Sequence, residues 1–161
     1  MDESEDMGRI VRAGVLAGLA FMAEQWVDQR IWPDGYSDMK LLGMAVTRKS
    51  PAYWAVAVPW HLLNSVGFAL LYARVVGPRL PGPGPLRGAI LALAENNGLW
   101  FPGLPVINRV HPAIRDGSVR PLQTGGVDWL VGNLRHLALG LVLGALCPVR
   151  SRPTSPPNPL S

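Results

Sequence analysis

The stretch Trp129–Val149, WLVGNLRHLALGLVLGALCPV, decides the fold class. A membrane-crossing helix needs about 20 predominantly apolar residues, each adding about 1.5 Å of rise. This run has that length, and from Leu137 to Val149 it carries no charge. A helix on the surface of a water-soluble bundle keeps Lys and Glu along its outer face. Here no such face exists, so the medium around the helix is hydrocarbon.

Three further segments extend the pattern. Ile10–Ile31 contains IVRAGVLAGLAFMAEQWV, Tyr53–Val76 reads YWAVAVPWHLLNSVGFALLYARVV, and the shorter Leu86–Trp100 reads LRGAILALAENNGLW. The sequence therefore predicts an all-α integral membrane four-helix bundle, up-down-up-down. Its helices lie over about 10–31, 53–76, 86–101 and 129–149. The corner Pro102-Gly103-Leu104-Pro105 is expected to end the third helix at the interface or in a re-entrant turn.

Composition agrees. Charged residues are 16% of the 161, below the roughly 25% of soluble domains, and apolar residues are 48%. The net charge of +4 is dispersed, which argues against a nucleic-acid partner and leaves the bilayer as the expected one. Cys147, the single cysteine, forms no internal disulfide. The first apolar segment does not read as a secretory leader, because its flank MDESED is acidic and Glu24–Asp28 follows without a clear cleavage pattern.

Around the membrane domain, taken as 9–150, residues 1–8 read as a disordered acidic lead and 151–161, SRPTSPPNPLS, as a disordered Pro/Ser tail. GPRLPGPGP makes a short rigid turn between helices two and three. Pro33–Ala52 contains DGYSDMKLLGMAV, whose apolar part is expected on the membrane surface. The halves share an order: acid-bearing helix (Glu24, Glu95), Asp-Gly connection, His-bearing helix (His61, His136).

Lys and Arg near the helix ends divide seven against seven between the two faces, so their number does not orient the chain. The arginines of the short turn lie closest to the spans and favour cytoplasmic termini. All six tryptophans (Trp26, Trp32, Trp54, Trp60, Trp100, Trp129) fall toward the opposite face, where an interfacial belt is expected.

Counting depth from that face places His61 and His136 roughly 10–12 Å below it, with Glu24 and Glu95 at a comparable level. Ionisable groups inside a membrane turn to the bundle interior, pair, and mark function. Asp28, Asn64, Asn96, Asn133 and Arg135 lie within a turn of these four, giving a candidate polar layer of nine residues. Asn96 and Asn97 point about 100° and 200° round the helix from Glu95, so the three are not expected to share one partner. Below the layer, Gly14, Gly18, Gly140 and Gly144 permit close helix approach.

Four roles fit such a layer. It can be a structural hydrogen-bond network, or a divalent metal site built from His61, His136, Glu24 and Glu95. The third role is a haem b site ligated by His61 and His136, and the fourth a proton or small-solute pathway. The Glu-x-x-His signature of di-iron bundles is missing. No nucleophile motif, phosphate loop or zinc-type cysteine spacing occurs, so the expected role is not enzymatic. Assembly as a homo-oligomer, or as an accessory subunit of a larger membrane complex, is compatible with all four.

The run His61-Leu-Leu-Asn-Ser65-Val-Gly-Phe68-Ala-Leu-Leu-Tyr72, with Pro78, Gly88, the Pro102-Gly103-Leu104-Pro105 corner and Arg135-His136-Leu137, resembles the YagU-like family of small bacterial inner-membrane proteins. The chain departs from that pattern at Glu95 and in its shorter first connection. The resemblance implies a four-helix, multi-pass protein of the bacterial inner membrane, linked to envelope or acid-stress physiology, with no established reaction.

Overall fold

The computed structural model describes residues 3–149, and among them all regular structure is helical. Four long helices, α1 (Glu3–Ile31), α3 (Tyr53–Leu71), α4 (Gly84–Val110) and α6 (Gly126–Leu146), alternate with two short ones, α2 (Asp38–Met44) and α5 (Pro112–Arg115). A π-helical turn and a 3₁₀ turn carry α3 on to Arg79. Three stretches are long and apolar enough to cross a membrane: Ser4–Ile31, Tyr53–Arg79 and Gly126–Leu146. α4 falls short of that hydropathy because Glu95, Asn96 and Asn97 interrupt it.

Neighbouring helices pack antiparallel in the order α3–α1–α6–α4, while α3 and α4 approach each other at the turn that joins them. α1 touches α3 through small residues: a Cβ on Gly14 would lie 2.7 Å from Val66 Cα. Contact between α4 and α6 is closer still, since a Cβ on Gly88 would stand 2.0 Å from the Gly140 carbonyl oxygen. Backbones meet there without side chains between them, which maximises dispersion contact where lipid supplies no hydrophobic drive. The main apolar core runs from Ile10, Ala17 and Phe21 through Tyr72 to Leu139 and Leu143. The likeness of the two halves stops at this packing, because α1 has α6 beside it and α4 has no equivalent contact with α3.

Several expected boundaries move. Residues 3–8 are not a disordered lead but the first turns of α1, where Glu5 and Asp6 meet the positive end of the helix dipole. The tail 151–161 lies outside the described residues. α6 begins at Gly126 and ends at Leu146, three residues earlier at each end than 129–149.

α4 does not stop at Trp100 or Phe101; it runs through Pro102 and Pro105 to Val110. Both prolines are on its exposed face, as are Gly98 and Phe101, whose carbonyls lose their helical donors. No re-entrant corner forms.

The connection 32–52 also departs from a surface segment: α2 packs against the start of α3 and buries Met39 completely. The connection 111–125 folds back over α4. Asn108 there holds both the N–H and the carbonyl of Leu122, at 2.8 and 2.9 Å. Together the two connections bury Tyr36, Trp100, Leu104, Leu122 and Val131 in a second core. Trp100 is thus a core residue, its indole N–H bonded to the Thr124 carbonyl, while Trp26, Trp54, Trp60 and Trp129 are exposed.

Candidate functional site

Arg135 sits at the centre of the polar region with none of its side chain exposed. Nine residues into α6, it points at the end of α1. Its Nε donates to Asp28 Oδ2 at 2.6 Å and one terminal nitrogen to Oδ1 at 2.7 Å, a bidentate pair. The other terminal nitrogen reaches Asp38 Oδ2 at 2.7 Å, and the Tyr36 carbonyl accepts at 3.0 Å. Four of the five guanidinium N–H groups are therefore engaged. The Tyr36 ring lies 4.8 Å from the guanidinium carbon. Gln25, next to this cluster on α1, fixes α2 by donating to the Ser37 hydroxyl and accepting from the Asp38 N–H.

The imidazoles occupy the adjoining space. Phe21 packs on both, with centroids 4.6 Å from His61 and 5.1 Å from His136. His61 is buried with Nε2 3.2 Å from the Gly18 carbonyl, so Nε2 carries the proton that it donates. His136 Nδ1 stands 2.8 Å from the Gly132 carbonyl and donates to it by the same logic. Its Nε2 faces Glu95 Oε2 at 3.3 Å. The two form an ion pair when the imidazole carries its second proton.

The three residues that interrupt α4 all turn to α6, contrary to the expectation of divided partners. Asn97 Nδ2 donates to Asn133 Oδ1 at 2.8 Å, and Trp129 Nε1 donates to Asn97 Oδ1 at 2.9 Å. Asn96, between them, enters the gap left by Gly132, whose missing Cβ would stand 3.7 Å from the Asn96 amide. Asn96 is buried, and its Nδ2 has no hydrogen-bond partner among the described residues.

Two recesses open beside these groups. One, of about 180 Å³, has Tyr36, Asn96, Leu99 and Trp100 among its walls. The other, of about 220 Å³, has Phe21, His61, Asn64 and Phe68. Asp38, Glu95 and His136 line both. Burial, and then the negative charge of Asp38, push the Tyr36 hydroxyl well above its usual range, so Tyr36 remains a neutral donor.

Of the nine expected residues, the structure brings Asp28 and Arg135 into one pair and Glu95 and His136 into another. His61, Asn96 and Asn133 border them. Glu24 falls outside: it is half-buried, and it makes no hydrogen bond or ion pair among the described residues. Asn64 is exposed and reaches the layer only as a wall of the larger recess. Gln25, Tyr36 and Asp38 are additions. The buried stripe of α1 (Ile10, Ala13, Ala17, Phe21) continues at helical spacing to Gln25 and Asp28, and that continuation bypasses Glu24.

For a metal, no group of three or more His, Cys, Asp or Glu among the described residues is placed to hold an ion. For haem, both nitrogens of His136 and Nε2 of His61 are already engaged within the protein. No family model, curated protein or solved structure matches this chain.

Proposed function

We propose that the chain is a small multi-pass protein of the bacterial inner membrane, related to the YagU-like proteins. All four long helices cross in up-down-up-down order, and both termini are cytoplasmic. Its role is non-enzymatic: the Glu95–His136 pair takes up and releases protons in a membrane-embedded site, serving proton- or solute-linked physiology. The observation that carries this reading is the 3.3 Å contact between Glu95 and His136 beside two recesses. Histidine changes charge in the physiological pH range, and an intramembrane carboxylate–imidazole pair is a common proton-relay element. The Asp28–Arg135–Asp38 cluster fixes the helices around the pair, and Phe21 sets the orientation of both imidazoles.

The test is proton flux in liposomes carrying a pH-sensitive dye. Wild-type protein should dissipate an imposed pH gradient faster than empty liposomes. Glu95→Gln preserves shape and removes the carboxylate, so it should reduce the added flux at least about ten-fold while the protein stays folded. Equal flux through wild type and Glu95→Gln would reduce the layer to a structural network.

A further inference from the structure

We propose that α3 carries the interface of a homodimer, in which two copies lie side by side in the bilayer and the Asn64 amides of the two bond to each other. This inference rests on α3 crossing the membrane and is independent of the proton-linked reading above.

The depth of Asn64 is the first reason. In the span Tyr53–Arg79 it lies roughly 16 Å along the helix from Tyr53, near the middle of the bilayer. Asn64 is exposed, and its side chain makes no hydrogen bond among the described residues. Asn97 and Asn133 differ: they bond to each other and to carbonyls one turn back, those of Leu93 and Trp129. Asn64 also forms a wall of the larger recess, yet no polar side chain there bonds to it. Hydrocarbon offers an exposed amide no partner, and leaving it unbonded is costly.

The face around Asn64 is the second. α3 is an outer helix of the row, and His61, Ser65 and Ala69 turn to α1. About 100° round from them, Trp60, Asn64, Gly67 and Leu71 are all exposed. They recur at intervals of four, three and four, the spacing along which two helices mesh as a left-handed pair. Of the most apolar stretch of this span, 22% is buried within the chain, against 39% in α1 and in α6. A Cβ on Gly67 would meet nothing within 4 Å, so a second backbone has room to approach. Lipid tails can cover the apolar members of this seam but not its amide.

Membrane geometry selects a second copy as the occupant. Two copies inserted in the same orientation are related by a two-fold axis along the bilayer normal, which sets each residue at the depth of its own counterpart. An amide has two N–H donors and an accepting oxygen, so it is complementary to itself. Asn64 facing Asn64 across the axis therefore satisfies both amides with no other polar group. A single Asn in an otherwise apolar seam also fixes register and the number of helices that meet. Arg74 continues the seam but is exposed near the end of the span, where water and anionic headgroups screen its charge from its counterpart.

The experiment is a lipid-dilution series of the dye-labelled full chain in vesicles, read by energy transfer between copies. Wild type should follow a monomer–dimer curve. Asn64→Leu should weaken association about ten-fold, and Asn64→Gln, which keeps an amide, should recover part of the loss. Asn64 bonds to nothing in its own chain, so both variants should keep wild-type helicity. In a Cys147→Ala background, Gly67→Cys and Leu71→Cys should oxidise to disulfide-linked dimers in the vesicles. Leu19→Cys should not, although Leu19 is exposed on α1 beside Gly18, at the depth of Ser65. If Gly67→Cys misfolds, Leu71→Cys carries the test. A monomeric wild type overturns the interface, as does Asn64→Leu associating as tightly as wild type, or Leu19→Cys linking as readily as Leu71→Cys. If wild type is monomeric while Glu95-dependent proton flux persists, this inference fails and the proton-linked reading stands. Release of the chain from vesicles by carbonate would overturn the membrane reading and this inference with it.

Discussion

Arg135 and Asp28, 107 positions apart in sequence, meet with Nε and Oδ2 at 2.6 Å, and neither side chain is more than 1% exposed. That contact joins α1 to α6 at the depth where hydrophobic packing gives way to polar recesses. A buried ion pair adds little net stability over well-packed apolar residues, yet breaking one half is costly. Arg135→Met should therefore lose about 3–5 kcal/mol in denaturant titrations of the detergent-solubilised protein, because Asp28 and Asp38 are left without a counter-charge. Adding Asp28→Leu should recover part of that loss. A double variant less stable than Arg135→Met would show that the pair is needed as a pair.

Close approach of α4 and α6 gives a second prediction. At Gly88 a Cβ would meet backbone, 2.0 Å from the Gly140 oxygen, and backbone cannot rotate away as a side chain can. Gly88→Ala should lower the thermal midpoint in detergent strongly, by about 1–3 kcal/mol or more of overpacking strain. Gly98→Ala, on the same helix with nothing within 4 Å of its Cβ, should be neutral or stabilising by about 0.5–1 kcal/mol. Equal effects of the two would contradict the backbone contact.

The unequal legibility of these features in the sequence has a physical cause. Helix type and the apolar stretches were readable because thirteen uncharged residues in a row, Leu137–Val149, leave water no favourable face. Glu95, Asp28, Arg135 and His136 were readable because charge inside such segments needs a partner. Asp38 was not, because it lies in a connection where acids are ordinary, and it is drawn inward by the burial of Met39 next to it and by the bond of its N–H to Gln25. Glu24 was over-read for a related reason: depth along a helix was known but azimuth was not, and one residue shifts azimuth by about 100°. The course of α4 through Pro102 was hidden too, because an internal proline removes one helical hydrogen bond and bends a helix without having to end it.

The connection between α5 and α6 gives a pH prediction. Ser118, through its hydroxyl and its backbone N–H, and then Arg48 hold the Asp116 carboxyl down to about 2. A depressed carboxyl contributes stability above its unfolded value near 4 and loses it as pH falls through the folded value. The contact of Arg48 with Asp116, at 2.9 Å, should thus be constant from neutral pH down to about 4 and fail between about 4 and 2. Carbon-detected NMR titration of the Asp116 carboxyl checks this. A midpoint at the ordinary aspartate value would deny the turn.

The last prediction concerns the helix whose composition falls short. α4 has 27 residues and so spans about 40 Å, against a hydrocarbon core of about 30 Å. Its low hydropathy comes from Glu95, Asn96 and Asn97, which all turn toward α6, while Ile90, Leu99, Phe101 and Val106 are exposed on its outer surface. An average over all sides of a helix understates how apolar its lipid side is when the polar side faces protein. α4 should therefore cross. In a Cys147→Ala background, single cysteines at Gly82 and Ser118 should react with a membrane-impermeant maleimide from opposite sides of sealed vesicles. Reporters fused at the two termini should then report one compartment. Labelling of both cysteines from the same side, with the termini in opposite compartments, would leave three crossings and place α4 on the surface.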